Sequence, residues 1–152
     1  MSTSGAADSN PCSCGIALES RLGQAYNEEA FRYFLAIERK RSRRSGWPFV
    51  LLLVRPRPGR GAPDRIHPAM AMKLFTGLWR GLRETDQIGW FREGRVAGAL
   101  LTRIVDPPGT DIVGLVREKI RRSLCDALPA EMSRLEIRAF RLPSGRRILN
   151  FR

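Results

Sequence analysis

The sequence predicts an α+β domain, a ferredoxin-like βαββαβ antiparallel sheet with an extra N-terminal helix. Three observations carry this. Residues 49–54 read FVLLLV, an apolar run of strand length without alternation, the pattern of a central strand covered on both faces. Residues 83–101, RETDQIGWFREGRVAGALL, hold two short apolar runs on either side of Arg92-Glu93-Gly94-Arg95, which reads as a β-hairpin with a longer loop. Stretches with helical apolar spacing surround these strands, so the order is helix, strand, helix, hairpin, helix, strand.

Each element has a local cause. Residues 1–15 form a Ser/Gly/Ala/Asn-rich polar tail expected to be disordered, and the domain is assigned to residues 16–152, with 16–26 only weakly patterned. Asn27 can cap a helix whose first turn holds Glu28 and Glu29, where negative charge suits the helix dipole. Phe31, Phe34 and Leu35 make its apolar stripe. The helix ends in the basic run Arg39-Lys40-Arg41-Ser42-Arg43-Arg44 and stops near Gly46, with Pro48 beyond. That run reads as a solvated helix end rather than a nucleic-acid patch, because cations there complement the dipole.

After the FVLLLV strand, residues 55–64, RPRPGRGAPD, are a Pro/Gly/Arg loop. Pro68 can open a second helix over 69–83, with Met70, Leu74, Leu78 and Leu82 on one face. Beyond the hairpin, 106–109 is a loop, and Thr110 or Asp111 caps a helix from Ile112 to about Leu128. Its stripe is Val113, Val116, Ile120 and Leu124, and Pro129 stops it. Residues 133–142 alternate as a last strand, 143–145 turn, and 148–151 read as a short edge strand.

Composition narrows the chemistry. The 152 residues suit one domain, and 43% hydrophobic residues suffice for a core. Lys and Arg number 27 against 15 acidic residues, a net charge of +12, which predicts attraction to nucleic acid, phosphorylated ligands or acidic surfaces. Cys12, Cys14 and Cys125 are odd in number, and the single His67 is far from the first pair, so no zinc spacing exists and free thiols in a reducing cytosol are expected. No run approaches the ~18 apolar residues of a membrane span, and the expected location is cytoplasmic. There is no Gly-rich phosphate loop with a Lys and no Ser/His/Asp set. His67, beside Pro68, reads as a helix-start residue.

Two segments carry a family likeness. Asn27, Phe31, Arg41, Arg43, Arg44, Gly46, Pro48 and the strand to Val54 form the first. Arg83 and Asp86, a five-residue spacer and then residues 92–96 form the second. Together they resemble the GGDEF domain of bacterial diguanylate cyclases over roughly residues 20–142, which implies the palm-type version of the sheet. In that family a carboxylate after the first strand and another from the signature loop bind two Mg²⁺ ions over the GTP phosphates, chemistry that needs hard oxygen ligands.

Here the corresponding positions are Arg55 and, in the signature, Gly94 and Arg95. Arg57 takes the next acidic position, and the family's Phe-Lys and Asn-Asp residues are absent from residues 55–64. Arginine where a cation should sit repels it. The resemblance therefore implies a catalytically inactive regulatory domain without metal or cofactor. It would act by binding a protein partner, with cyclic di-GMP or another nucleotide as a further candidate ligand.

Arg83 and Asp86 match the family's inhibitory site, where the guanidinium of Arg-x-x-Asp meets the phosphate or guanine of cyclic di-GMP; the simpler reading pairs the two with each other. Arg55, Arg57, Arg60, Arg92 and Arg95 are expected around the old substrate cleft, as a metal-free anion site or as solvated loop arginines. Trp47, Trp79 and Trp90 could stack bases, but the positions of Trp79 and Trp90 favour packing. A nucleic-acid-binding module is the alternative function, and FVLLLV argues against it because it lacks the exposed aromatic and basic alternation of an RNA-reading sheet.

Overall fold

A computed structural model of the chain describes residues 16–17, 24–105 and 107–143. In chain order these form β1 (Ile16–Ala17), β2 (Gln24–Ala25), α1 (Glu28–Ser45), β3 (Phe49–Pro56), α2 (Pro68–Gly81), β4 (Gln87–Arg92), β5 (Val96–Leu101), α3 (Ile112–Ala127), a 3-10 turn at Met132–Arg134 and β6 (Leu135–Leu142). The main sheet is antiparallel in the order β4-β5-β3-β6, and β1 pairs with β2. β5 separates β3 from β4, and β3 separates β5 from β6, so α2 and α3 each cross over between strands that run parallel with another between them. That is the split βαβ arrangement of a ferredoxin-like fold.

The helices start where their caps direct. Asn27 Oδ1 accepts the Ala30 N–H at 2.8 Å, and Gly46, at φ 74°, ends α1 with its N–H on the Ser42 carbonyl. Pro68 opens α2, and His67 is its cap, with Nδ1 accepting the Ala69 N–H at 3.1 Å. The helix ends at Gly81 rather than Arg83. Leu82 is already extended, and Arg83 joins the turn that leads to β4. Of the two candidate caps for α3, Asp111 holds the place and accepts the Gly114 N–H at 3.0 Å.

The unbroken apolar run of β3 serves two cores. Phe49, Leu51 and Leu53 pack with Phe31 and Leu35 of α1 and with Val96 and Leu100. Val50, Leu52 and Val54 pack on the other side with Leu74, Phe75 and Leu78 of α2 and Ile120 and Leu124 of α3. With both faces covered, alternation would leave a polar group buried, which is why the sequence shows none. Trp90 is buried edge-on to Phe75 with centroids 4.9 Å apart, Trp79 packs against the same core, and Trp47 is exposed.

The weakly patterned stretch before α1 protects a sheet edge. Tyr26 donates to the Ile88 carbonyl and accepts from Trp90 N–H, both at 2.9 Å, so the outer side of β4 is paired. Opposite each other on the α1 face of the hairpin, Gly89 and Gly98 form a notch. A Cβ at Gly89 would lie 2.6 Å from the Tyr26 carbonyl oxygen, and one at Gly98 would lie 2.7 Å from Phe31 Cζ. The tail 1–15 and the edge strand expected at 148–151 lie outside the described residues. Among those described, no helix is long and apolar enough to cross a membrane.

Candidate ligand-binding site at the hairpin and its flanks

The turn of the hairpin is closed by the Arg95 N–H on the Arg92 carbonyl at 2.9 Å, with Gly94 at φ 69°, a conformation that only glycine adopts without strain. Alternation along β4 puts Phe91 on the α1 side, opposite to Ile88 and Trp90, and the register shifts just beyond, between Trp90 and Arg92. There the Arg32 guanidinium lies 5.0 Å over the Phe91 ring, and Arg32 Nε donates to the Phe91 carbonyl.

Glu93, the carboxylate of this turn, is engaged with α1. Its Oε2 accepts the Glu28 N–H at 3.1 Å, while the Glu93 N–H donates to Glu28 Oε1 at 2.8 Å. The first N–H groups of a helix have no partner inside it, so Glu93 satisfies one of them from across the fold. A carboxylate so placed is a helix clasp.

Arg55 follows Leu53 on the α1 face of β3, and the β3–β6 register sets it opposite Glu136. Arg55 Nε meets Glu136 Oε2 at 2.8 Å, and Arg138 Nε meets Glu136 Oε1 at 3.1 Å. Burial alone would raise the Glu136 carboxyl, but the hydrogen bond and charge of Arg55, joined by Arg138, outweigh it and hold the group below the usual glutamate range. A depressed folded value means that the stabilisation is complete above the unfolded value and is lost as pH falls through the folded one. Denaturant stability should therefore fall on acidification below about pH 4 in part through this group. In Glu136→Gln that portion of the slope should vanish, with about 2 kcal/mol lost at neutral pH because Arg55 keeps its burial without its counter-ion. An unchanged acid slope would refute this role.

The five arginines expected around one cleft divide. Arg55 is neutralised by Glu136. Arg57 departs from it: its N–H meets the Arg134 carbonyl, and its side chain lines a cleft against α3, on the opposite face of the sheet. Arg60 is exposed in the loop after β3. Arg92 and Arg95 share the hairpin turn, with Arg92 Nε buried without a hydrogen-bond partner and Arg95 exposed.

Arg83 and Asp86 lie at the other end of β4. Asp86 Oδ2 accepts the Arg83 N–H at 2.9 Å, and its Oδ1 is 3.4 Å from Arg83 Nη2. That same Nη2 donates to the Thr102 carbonyl at 2.6 Å. The Asp86 side chain is 1% exposed and the Arg83 side chain 51%. Asp86 thus holds the α2–β4 turn from within, while Arg83 offers half of its side chain to solvent. Among the described residues, no three His, Cys, Asp or Glu side chains gather as metal ligands, and Cys125 is an exposed thiol on α3.

A four-stranded antiparallel sheet with α1 on one face and α2 and α3 on the other is a GGDEF-like fold, similar to that of a solved diguanylate cyclase. Sixteen chains of solved structures match it. One is the diguanylate cyclase SiaD of Pseudomonas aeruginosa, solved in complex with its activator SiaC, at a TM-score of 0.51 and 22% sequence identity over 77% of this chain. The match spans 45% of the SiaD chain. No protein-family model and no curated protein matches the sequence.

Proposed function

We propose that this chain is a non-catalytic GGDEF-fold domain that regulates by binding, with a protein as its main partner, in bacterial signalling. The observation that carries the reading is the state of the carboxylates around the hairpin and the end of β3. Glu93 clasps the N-terminus of α1, and Glu136 neutralises Arg55 and Arg138. Glu136 is committed to two arginines and Glu93 Oε2 to the first turn of α1, and Arg92 and Arg95 add positive charge where metal-assisted phosphoryl transfer needs negative ligands. That SiaD was solved with a protein activator supports a protein partner for this fold. The test is incubation with GTP and Mg²⁺ or Mn²⁺, followed by chromatography for cyclic di-GMP. No product is expected, and any turnover that scales with protein concentration overturns the reading.

A second ligand reading rests on Arg83, whose half-exposed guanidinium stands over a buried Asp86 and is oriented by it. A phosphate of cyclic di-GMP would meet the open side of that guanidinium. Calorimetric titration at physiological salt is expected to show saturable binding at about micromolar strength, near 8 kcal/mol, weakened at least about tenfold in Arg83→Ala. Absence of heat with the wild-type chain removes the nucleotide and leaves the protein partner.

A further inference from the structure

On the face of the sheet away from Arg55 and the Glu93 clasp, a cleft of about 620 Å³ opens between α3, the loop after β3 and the start of β6. Met132, Leu135 and Ile137 give it an apolar lining, and Arg57, Arg117 and Arg121 stand around it. Arg117 and Arg121 are one turn apart on α3, where like charges repel. Arg57 approaches from a different element. Among the described residues these three side chains have no ion pair or hydrogen bond. Three exposed cations thus stand around a cleft with a partly apolar floor, and among the described residues the one carboxylate in its lining, Glu118, is paired with Arg122 at 3.7 Å rather than with any of them.

We propose that this cleft binds a phosphomonoester carried on a compact apolar or heteroaromatic body, of mononucleotide size. A dianionic phosphate matches three guanidinium groups, whose planar donor forks grip phosphate oxygens in pairs. The body lies on Met132, Leu135 and Ile137, and the volume is within the range of small-molecule sites. An acidic protein segment is the less favoured occupant, because Met132, Leu135 and Ile137 give its carboxylates no partner. This site is independent of the reading given to the hairpin and Arg83, so either can fail alone.

The experiment is calorimetric titration of the whole chain with AMP, adenosine and inorganic phosphate at physiological salt, with methyl resonances recorded in parallel. AMP is expected to bind saturably and to shift the Met132 and Ile137 methyls, with adenosine and phosphate at least about tenfold weaker. Arg117→Ala and Arg121→Ala should each weaken AMP about tenfold or more, as expected for loss of a charge-assisted hydrogen bond. Lys119→Ala removes the same charge from α3 outside the cleft lining and should change affinity less than about twofold, since exposed charges farther away are screened. Arg83→Ala should have no effect. Lack of AMP binding, an equal loss in Lys119→Ala, or phosphate binding as tightly as AMP would each overturn the proposal. So would an oligoglutamate peptide that binds more tightly than AMP, which would make the cleft a dock for an acidic protein.

Discussion

Replacing Phe31 with alanine should lower the unfolding free energy by about 4 kcal/mol, the largest effect expected of any single side chain that joins α1 to the sheet. The ring is completely buried, seated on Gly98 and surrounded by Leu35, Leu51, Leu53, Val96 and Leu100. Its removal leaves a cavity that the sheet cannot close, because β5 and β3 are tied to each other by their ladder. The consequence extends to the hairpin turn, since the Glu28–Glu93 clasp and the Arg32–Phe91 contact both depend on where the first turn of α1 lies. Urea unfolding followed by circular dichroism measures the loss. Tyr33→Ala, two positions along and 64% exposed, is the control and should change stability by about 0.5 kcal/mol or less. A Phe31→Ala loss below about 1 kcal/mol would mean that α1 is held to the sheet by something other than this ring.

Gly89→Ala should be the second most damaging change, at about 3 kcal/mol. The added methyl would stand 2.6 Å from the Tyr26 carbonyl oxygen and 3.0 Å from its nitrogen, so main chain rather than a flexible side chain would have to move. Overpacking of this kind costs about 1–3 kcal/mol, and the shift also strains the two hydrogen bonds by which Tyr26 covers β4, worth about 1 kcal/mol each. The smaller conformational freedom of alanine in the unfolded chain returns about 0.4–1 kcal/mol, too little to reverse the sign. Hydrogen exchange locates the damage: the Tyr26 and Trp90 amides should lose protection while the β3 amides keep theirs. Uniform loss across the sheet would show instead that this edge does not open by itself.

The two substitutions act on one device. A cross-strand pair of glycines receives the chain before α1 and the first buried ring of α1, and thereby sets the helix against the hairpin. That junction fixes where Arg32 and the hairpin turn with Arg92 and Arg95 lie.

Much of the architecture was legible because its causes lie within a few residues of each other. Asn27 with Glu28 and Glu29, Gly46 before Pro48, Pro68 behind His67, and Asp111 three residues before Gly114 each satisfy helix ends through neighbours in the chain. The apolar run of β3 announced burial on two sides, and Gly94 marked the hairpin turn, for the same local reason. The end of α2 was less legible. Arg83 continues a helical pattern, but the carboxylate of Asp86 captures its N–H and turns the chain.

The sites were decided by topology. Glu136 neutralises Arg55 across 81 positions, and Glu93 reaches the start of α1 across 65; neither pairing has a sequence pattern, because each depends on which strands become neighbours and in what register. Arg57, two residues from Arg55, lines a cleft on the other face of the sheet, and it joins Arg117 and Arg121, which in sequence are only two arginines on a basic helix. Local spacing specified helices, turns and the buried strand, since those depend on backbone groups close along the chain. Which charges are neutralised and which are left facing a cleft depended on long-range packing.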